Sequence, residues 1–342
     1  MPTDAVLREL TARQLDAWLP GALQRSRRAT LAVAGAPADA QTPEAAVRAV
    51  GAAAGAGLRG RRLTVLVLAD GTEELPARLG AAEAELPTEV AVHLVPGDHT
   101  RLPVALKAAG AAGAPLLTVV DLYGCKEGPS LNAYGREGSP SCAAVPGAGG
   151  APGAGGASVG GAEVAGLSRA VLAAAASGRP AELLVVADTP VRAALTERFP
   201  LVAEVEWVPA DGAQPRLVAF ATGSDRGLDA FKTGLWEVAG QLGARLRDPA
   251  DPTAAPLAAT TDPDPAPLGR ELLAELARSG PRTVTELRRH TLTATGYRST
   301  DAVRAVTGLL DAGAARRDPE HGRLGGDVVI HVEAATSAWS GA

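Results

Sequence analysis

The chain of 342 residues has the composition of a folded globular protein, because 46% of its residues are hydrophobic and 21% are charged, which suffices for a sizeable core. Its formal net charge of −5 gives no general attraction to nucleic acids or anionic membranes. The sequence begins without a basic stretch followed by an apolar one, and no apolar run reaches membrane-spanning length. We therefore expect a cytoplasmic protein without a membrane partner.

Helices and apolar strands are predicted to alternate over the first third of the chain. Residues 4–24 have the pattern of an amphipathic helix that Pro20-Gly21 would end. The later helices have a length suited to crossovers between parallel strands. Strands are predicted at 30–35, 62–70, 89–98 and 115–121, and helices at 43–54, 73–85 and 100–112. This order predicts an α/β fold with a doubly wound, Rossmann-like sheet.

Three of these strands end at an aspartate: Asp70, Asp98 and Asp121. Ligands of open α/β sheets bind outside the carboxyl ends of the strands, so the three carboxylates would form one acidic rim. Asp70 has the position at which a carboxylate accepts hydrogen bonds from ribose hydroxyls, and Gly97 and Asp98 would lie near an adenine. The alternative interpretation is that each acid is solvated at the end of its strand.

A segment rich in glycine, proline, serine and alanine, residues 122–161, is predicted to be a long loop because it has too few large side chains to form a core. It contains the two cysteines, Cys125 and Cys142. Their spacing matches no common zinc or iron–sulfur signature, so we predict no metal site and expect reduced thiols.

The regular pattern returns after the loop and completes a domain predicted at residues 1–247. The dipeptide Asp211-Gly212 is a strong hairpin signal, so the two strands beside it should pair antiparallel at the end of the sheet. Helices are predicted at 162–177, 191–198 and 224–245, and strands at 181–187, 203–209 and 216–222.

Residues 248–267 are rich in proline and lack periodicity, which predicts an extended linker to a second domain at 268–335. Three helices followed by a β-hairpin predict that this domain is a winged helix-turn-helix. The helices are predicted at 268–278, 283–290 and 299–312, and the hairpin strands at 314–318 and 327–332.

A winged-helix domain would bind either DNA or a partner protein. Arginine and hydroxyl side chains at the start of the third helix and in the wing are the types that contact bases and phosphates. Residues 267–342 carry ten arginines against nine acidic residues, a charge of about +1, so a protein partner is as well supported as DNA. The candidate nucleic-acid-binding residues are Arg298, Ser299, Thr300, Arg304, Arg316, Arg317 and Arg323.

Three segments within residues 5–245 resemble the three-Cys-motif partner family of methyltransferase-like proteins. Residues 10–20 resemble the opening helix of that family, 119–124 resemble its Asp-Pro-Phe-Gly strand end, and 219–238 resemble the strand and tryptophan-bearing helix that close its catalytic domain. The resemblance implies a class I methyltransferase sheet with S-adenosylmethionine as cofactor. It implies catalytic roles for Asp121 and Tyr123, and cofactor contacts for Gly35, Asp70, Gly97, Asp98 and Asp121.

The loop after the first strand departs from the Asp-Gly-Phe-Ala-Gly-Pro-Gly pattern of the family. Here it contains Gly35, Ala36 and Pro37, without the leading acid and the second glycine. A Cβ hinders close approach of the backbone to a ligand, and proline has no NH to donate, so we expect weak or absent cofactor binding. Two functions stay open: a methyltransferase of unknown substrate, or an inactive methyltransferase-like scaffold that acts on DNA or a protein through its winged helix.

Overall fold

A computed structural model describes residues 4–35, 41–54, 58, 60–69, 74–122 and 167–333 of the chain. Two predicted site residues, Asp70 and Tyr123, and both cysteines lie outside these residues. Of the predicted glycine-rich loop at 122–161, only Leu122 lies inside them.

A mixed sheet dominates the described part of the chain, with its nine strands in the order β3-β2-β1-β4-β5-β7-β6-β8-β9. The five strands β3, β2, β1, β4 and β5 run parallel to one another. Strand β7 is antiparallel to both β5 and β6. The protein is therefore α/β, as predicted. The strands are β1 (Arg28–Ala34), β2 (Arg62–Ala69), β3 (Val90–Pro96), β4 (Leu116–Asp121), β5 (Ala181–Ala187), β6 (Leu201–Val208), β7 (Arg216–Thr222), β8 (Arg245–Arg247) and β9 (Leu257–Ala258).

Helices cover both faces of the sheet. Successive side chains of a strand point to opposite faces, and because the side chains on both faces are apolar, each face needs a layer of helices to bury it. Val33 belongs to one hydrophobic core and its neighbour Ala32 to the other. Helices α1, α2, α3 and α7 pack on the first core, and α4, α5 and α6 on the second. The seven helices are α1 (Asp4–Arg25), α2 (Gln41–Ala54), α3 (Leu75–Glu83), α4 (Leu102–Ala108), α5 (Arg169–Ala175), α6 (Arg192–Thr196) and α7 (Asp225–Leu242).

The predicted bounds of the first helix, 4–24, agree with the structure to within one residue, but the prediction that Pro20-Gly21 ends it is wrong. Helix α1 continues through Pro20 and ends at Arg25. Ala22 and Leu23 in its last turn are buried, and their packing outweighs the local cost of proline in a helix interior. None of the helices within the described ranges is long and apolar enough to cross a bilayer.

The proline-rich segment is more regular than predicted. Leu257 pairs with Leu246 in the antiparallel ladder between β9 and β8, so the segment adds an edge strand to the sheet. The guanidinium of Arg247 also donates to the Pro252 carbonyl oxygen at 3.1 Å. The division of the chain into two domains at this segment stays a prediction.

Beyond this segment, three helices and a small antiparallel sheet are present, with strands in the order β10-β12-β11. A capping box begins the second of these helices: the Glu286 backbone NH donates to Thr283 Oγ1 at 3.2 Å, and the Thr283 NH donates to the Glu286 carboxylate at 2.8 Å. The elements are α8 (Ala266–Ser279), β10 (Arg282–Thr283), α9 (Val284–Ala294), α10 (Ser299–Asp311), β11 (Ala315–Asp318) and β12 (Val329–Val332).

Candidate functional site

The predicted site lies at the carboxyl edge of the parallel strands, where β1 and β4 are neighbours. Their register pairs Ala34 with Val120, so Gly35 and Asp121 follow at adjacent positions of this edge. The Gly35 NH also donates to the Leu68 carbonyl oxygen of β2 at 3.3 Å. The chain leaves β1 towards β2 and leaves β4 towards β5, so this is the point at which the strand order reverses. Such a switch point creates the crevice in which open α/β sheets bind ligands.

Asp121 is held inside this edge. It is the last residue of β4, its register partner is Val186 in β5, and it is only 5% exposed. The NH of Leu122 continues the ladder by donating to the Val186 carbonyl oxygen at 2.8 Å. A carboxylate kept from bulk water at a switch point is a candidate for orienting a polar ligand group.

Gly97 and Asp98 follow β3 on the same edge. The Gly97 NH donates to the Ala69 carbonyl oxygen at 3.4 Å, and its φ of +116° suits glycine. A Cβ at Gly97 would lie 2.8 Å from Cγ of Arg101, so a larger residue would displace that side chain.

The carboxylate of Asp98 caps the short turn that follows. Its Oδ1 accepts hydrogen bonds from the Thr100 NH at 2.9 Å and from the Thr100 hydroxyl at 2.5 Å. Partial burial is the largest influence on the Asp98 pKa and raises it, but the bonds from Thr100 and attraction to His99 outweigh burial, and the net pKa is lowered. Asp98 therefore carries a negative charge near neutral pH, with Oδ1 engaged by Thr100.

Asp98 and Asp121 do not lie side by side. Strands β2 and β1 separate β3 from β4, and three strand spacings amount to roughly 14 Å. One ligand must extend along the edge to contact both acids. Gly35 lies between them, at the end of β1.

The predicted nucleic-acid residue Arg298 lies against the helix that closes the sheet domain. Its guanidinium is stacked over the Trp236 ring of α7, 4.6 Å from the ring centroid. The same group donates to the Asp301 carboxylate at 3.0 Å and to the Thr261 carbonyl oxygen at 3.2 Å. These partners occupy the donors that base recognition would need.

Ser299 and Arg304 are engaged in the same way. Ser299 is 1% exposed and its hydroxyl donates to the Asp229 carboxylate of α7. The guanidinium of Arg304 forms an ion pair with Asp262 and donates to the Pro263 carbonyl oxygen at 3.2 Å. The predicted DNA contacts stay a prediction, and this geometry weighs against them, since Ser299 would have to leave Asp229 and Arg304 would have to leave Asp262 before either could contact a base. Thr300 is exposed.

The predicted wing residues differ among themselves. Arg317 holds the turn by donating to three carbonyl oxygens, at 2.9 Å to Pro319, 3.0 Å to Gly322 and 3.2 Å to Arg323. Arg316 lies 3.7 Å from the Glu333 carboxylate, and the Arg323 side chain is exposed. Arg317 therefore has a structural role, whereas Arg316 and Arg323 are accessible.

The sequence analysis did not identify Lys232, whose side chain is fully buried between α7 and the turn after α9. Its ammonium donates to the Thr295 carbonyl oxygen, and the adjacent Trp236 indole NH donates to the Gly296 carbonyl oxygen at 2.9 Å. Burial lowers the pKa of Lys232 to about 7, against a smaller opposing effect of Asp248. The sequence could have indicated this burial, because Lys232 lies four residues after Leu228 and therefore on the same buried face of α7.

Glu182 is a second buried charge, near the amino end of β5. The amide of Gln14 in α1 donates to its carboxylate at 2.9 Å, and burial raises the pKa of Glu182. A Cβ at Gly227 would lie 2.6 Å from its Oε1, so α7 also packs closely on this group. Its place on the edge opposite to Asp121 indicates a packing role.

Neither a known protein-family model nor any curated protein matches the chain. Among the described residues, no group of three or more His, Cys, Asp or Glu side chains could hold a metal ion. The resemblance to the three-Cys-motif partner family thus depends on the three quoted segments.

Proposed function

We propose that the chain is an S-adenosylmethionine-dependent methyltransferase-family protein of unknown substrate. The observation that carries the proposal is the sheet order, in which five parallel strands in the order β3-β2-β1-β4-β5 are followed by the antiparallel insertion of β7 between β5 and β6. This is the sheet that the resemblance implies for class I methyltransferases. The burial of Asp121 beside Gly35, at the switch point of that sheet, adds a polar group where a ligand is expected.

The described residues fit a nucleoside ligand along the carboxyl edge. Gly35 has no Cβ that would hinder approach of a ligand to its backbone. The positive φ of Gly97 allows the bend that brings Asp98 to the same edge. Asp98, together with Asp70 of the sequence, would accept hydrogen bonds from the nucleoside. S-adenosylmethionine supplies an electrophilic methyl group when it is bound. Asp121 and Tyr123 would orient the acceptor atom against that group, and positioning is the main demand of such an in-line displacement.

A second candidate function is an inactive methyltransferase-like scaffold that regulates DNA or a protein partner through a winged helix at 268–335. The sequence Gly35-Ala36-Pro37 favours it, because this loop has one glycine where the family pattern has three, and it lacks the leading acid. On this proposal, the carboxyl edge would hold no cofactor and the C-terminal helices would carry the function.

Calorimetric titration with S-adenosylhomocysteine and with adenosine distinguishes the two candidates. We expect both ligands to bind the wild type with dissociation constants weaker than about 1 μM, since the loop has one glycine where the family pattern has three. Asp121→Asn should weaken S-adenosylhomocysteine binding by roughly tenfold, about 1.4 kcal/mol, through loss of a charged hydrogen-bond acceptor. The matched control is Asp311→Asn in α10, an exposed acid remote from the site, which should bind as the wild type does.

No binding of either ligand would contradict the cofactor proposal and support the scaffold. If Asp121→Asn and the wild type bound S-adenosylhomocysteine equally, the proposed nucleoside site would stand, but Asp121 would not contribute to it.

A further inference from the structure

Arginines gather at the amino edge of the parallel strands, opposite to the candidate cofactor site. Arg28 and Arg62 are the first residues of β1 and β2, and they are direct partners in the register of these strands. Arg27 and Arg61 precede them, and Arg25 is the last residue of α1. We call these five residues the arginine edge. Except for the half-buried Arg61, their side chains are exposed.

The arginine edge borders an open cleft of about 610 Å³. Arg25 and Arg27 line one side of it, and Gly60 and Arg61 line the other. A cleft whose walls carry guanidinium groups fits an extended anion better than a flat basic surface does.

Further basic side chains continue along the same edge. Lys107 is exposed in the last turn of α4, and Arg179 is exposed just before β5. The guanidinium of Arg28 reaches to 3.8 Å from the position of a Cβ at Gly110, in the turn after α4. From β2 to β5 the edge spans three strand spacings, roughly 14 Å. This length exceeds a single phosphate and suits a chain of phosphates, which follow at about 3.4 Å along the axis of one strand of a duplex.

Carboxylates offset the cluster only in part. The buried Glu182 of β5 attracts Arg25, whereas among the residues that the structure describes no carboxylate forms an ion pair with Arg27, Arg28 or Arg62. Elsewhere most ion pairs use arginine, as in Arg78 with Glu44. Like charges directly opposite on neighbouring strands destabilise a sheet, and the chain as a whole is acidic. The pairing of Arg28 with Arg62 therefore does not follow from an overall basic composition. Repulsion between the two guanidinium groups destabilises this end of the sheet, and an anionic ligand would reduce that repulsion.

We propose that the arginine edge binds the phosphate backbone of a nucleic acid without preference for base sequence. Guanidinium groups bind phosphate oxygens in pairs of parallel hydrogen bonds, which a cluster of arginines can repeat along a strand. No aromatic side chain lines the cleft within the described residues, so the bases have no stacking platform there.

A membrane surface fits the arginine edge less well. Membrane-binding surfaces combine basic residues with apolar anchors that enter the headgroup region. The exposed large hydrophobic residues in the described ranges are Val104 and Val332, and neither lines the cleft.

The test is fluorescence anisotropy with labelled 20-nucleotide probes, dA20, dT20 and a mixed-sequence duplex, titrated with the full chain without cofactor. Five arginine contacts predict a slope of log affinity against log salt of about −3.5 for a single strand, so binding should weaken roughly 100-fold between 50 and 200 mM salt. Arg28→Gln combined with Arg62→Gln should reduce the slope by about 1.4 and weaken binding roughly tenfold at 50 mM. We expect dA20 and dT20 to bind equally.

One double variant with the same change in charge serves as the control: Arg245→Gln with Arg270→Gln removes exposed arginines from β8 and α8 and should leave binding unchanged. A second double variant, Arg316→Gln with Arg323→Gln, tests the competing nucleic-acid site in the C-terminal hairpin, and the arginine edge predicts that binding persists without these two arginines. Circular dichroism of each variant verifies that it folds.

Four results would overturn the proposal: no binding at 50 mM salt, binding that survives Arg28→Gln with Arg62→Gln, loss of binding in the hairpin variant, or tighter binding to vesicles with phosphatidylserine than to the oligonucleotides. A clear difference in affinity between dA20 and dT20 would contradict the claim that the arginine edge binds without preference for base sequence. The outcome does not depend on whether the carboxyl edge binds S-adenosylhomocysteine, so the two proposals can fail separately.

Discussion

Replacing Lys232 by methionine should make the stability of the protein less dependent on pH. Lys232 is fully buried, and burial lowers its pKa from an ordinary value of 10.5 to about 7. Because this folded-state pKa lies below the unfolded value, the folded state binds fewer protons between the two values, and stability rises with pH in that window. The cost of the lysine is fully present below about pH 7 and declines as the pH rises towards the unfolded value.

The size of the effect follows from the shift. A difference of about 3.5 pKa units corresponds to about 5 kcal/mol at 1.36 kcal/mol for each unit. Burial is the main cause of the lowered pKa; attraction to Asp248 and Asp301 opposes it, and repulsion from Arg192 adds to it. Between pH 6 and pH 9, the difference in unfolding free energy between wild type and Lys232→Met should change by about 2 to 3 kcal/mol in favour of the wild type. Methionine leaves the Thr295 carbonyl oxygen without this donor, an offset of about 1 to 3 kcal/mol that does not vary with pH.

Urea unfolding at pH 6, 7, 8 and 9 measures this difference. The matched control is Lys107→Met, since Lys107 is exposed in α4 and its removal does not relieve the burial of a charge. If the difference between wild type and Lys232→Met were constant over this range, Lys232 would keep an ordinary pKa, and the inference that burial dominates at this site would be refuted.

Two further predictions concern the C-terminal part of the chain. Thr283→Ala removes one half of the capping box of α9 and should destabilise the protein by about 1 kcal/mol, whereas Thr307→Ala on the exposed face of α10 should cost less, as urea unfolding would measure. Limited proteolysis should cut between β8 and β9, in residues 249–256, and the fragments should stay together in gel filtration because Trp236 and Lys232 bind the α9–α10 turn. Fragments that separate after this cut would show that these contacts do not hold the two parts together.

The sequence predicts the central strands best, because their signal is local. The bounds of β5 (Ala181–Ala187) and β7 (Arg216–Thr222) agree with the prediction to the residue. Each contains an apolar run, 183–187 in β5 and 217–221 in β7, follows a proline and ends before a polar or glycine-containing turn. Burial on both faces of a sheet demands such runs. The hairpin signal at Asp211-Gly212 correctly places β6 and β7 as an antiparallel pair.

Short elements and helix ends escape this reasoning for a physical reason. Strands β8, β9 and β10 have only two or three residues each, too few for any periodicity, and they form because a neighbouring strand supplies their hydrogen bonds. The continuation of α1 past Pro20 likewise depends on tertiary burial of the following turn. In the candidate site, the positions of Gly35, Gly97, Asp98 and Asp121 at one edge follow from strand ends, but the burial of Asp121 does not.

The packing of α10 on α7 bears on where a nucleic acid could bind. The sequence favours the start of α10, yet the Arg298 guanidinium is stacked on Trp236 and the Ser299 hydroxyl bonds Asp229. Releasing the start of α10 would break the contact of Arg298 with Trp236 and the hydrogen bond of Ser299 to Asp229, a cost that arginines at another site would not incur. The arginine edge requires no such rearrangement, because Arg25, Arg27 and Arg61 line an open cleft and the side chains of Arg28 and Arg62 beside it are exposed. A strand of phosphates held at the amino edge would also leave the carboxyl edge of the same sheet accessible to a nucleoside ligand, so both proposals can hold in one molecule.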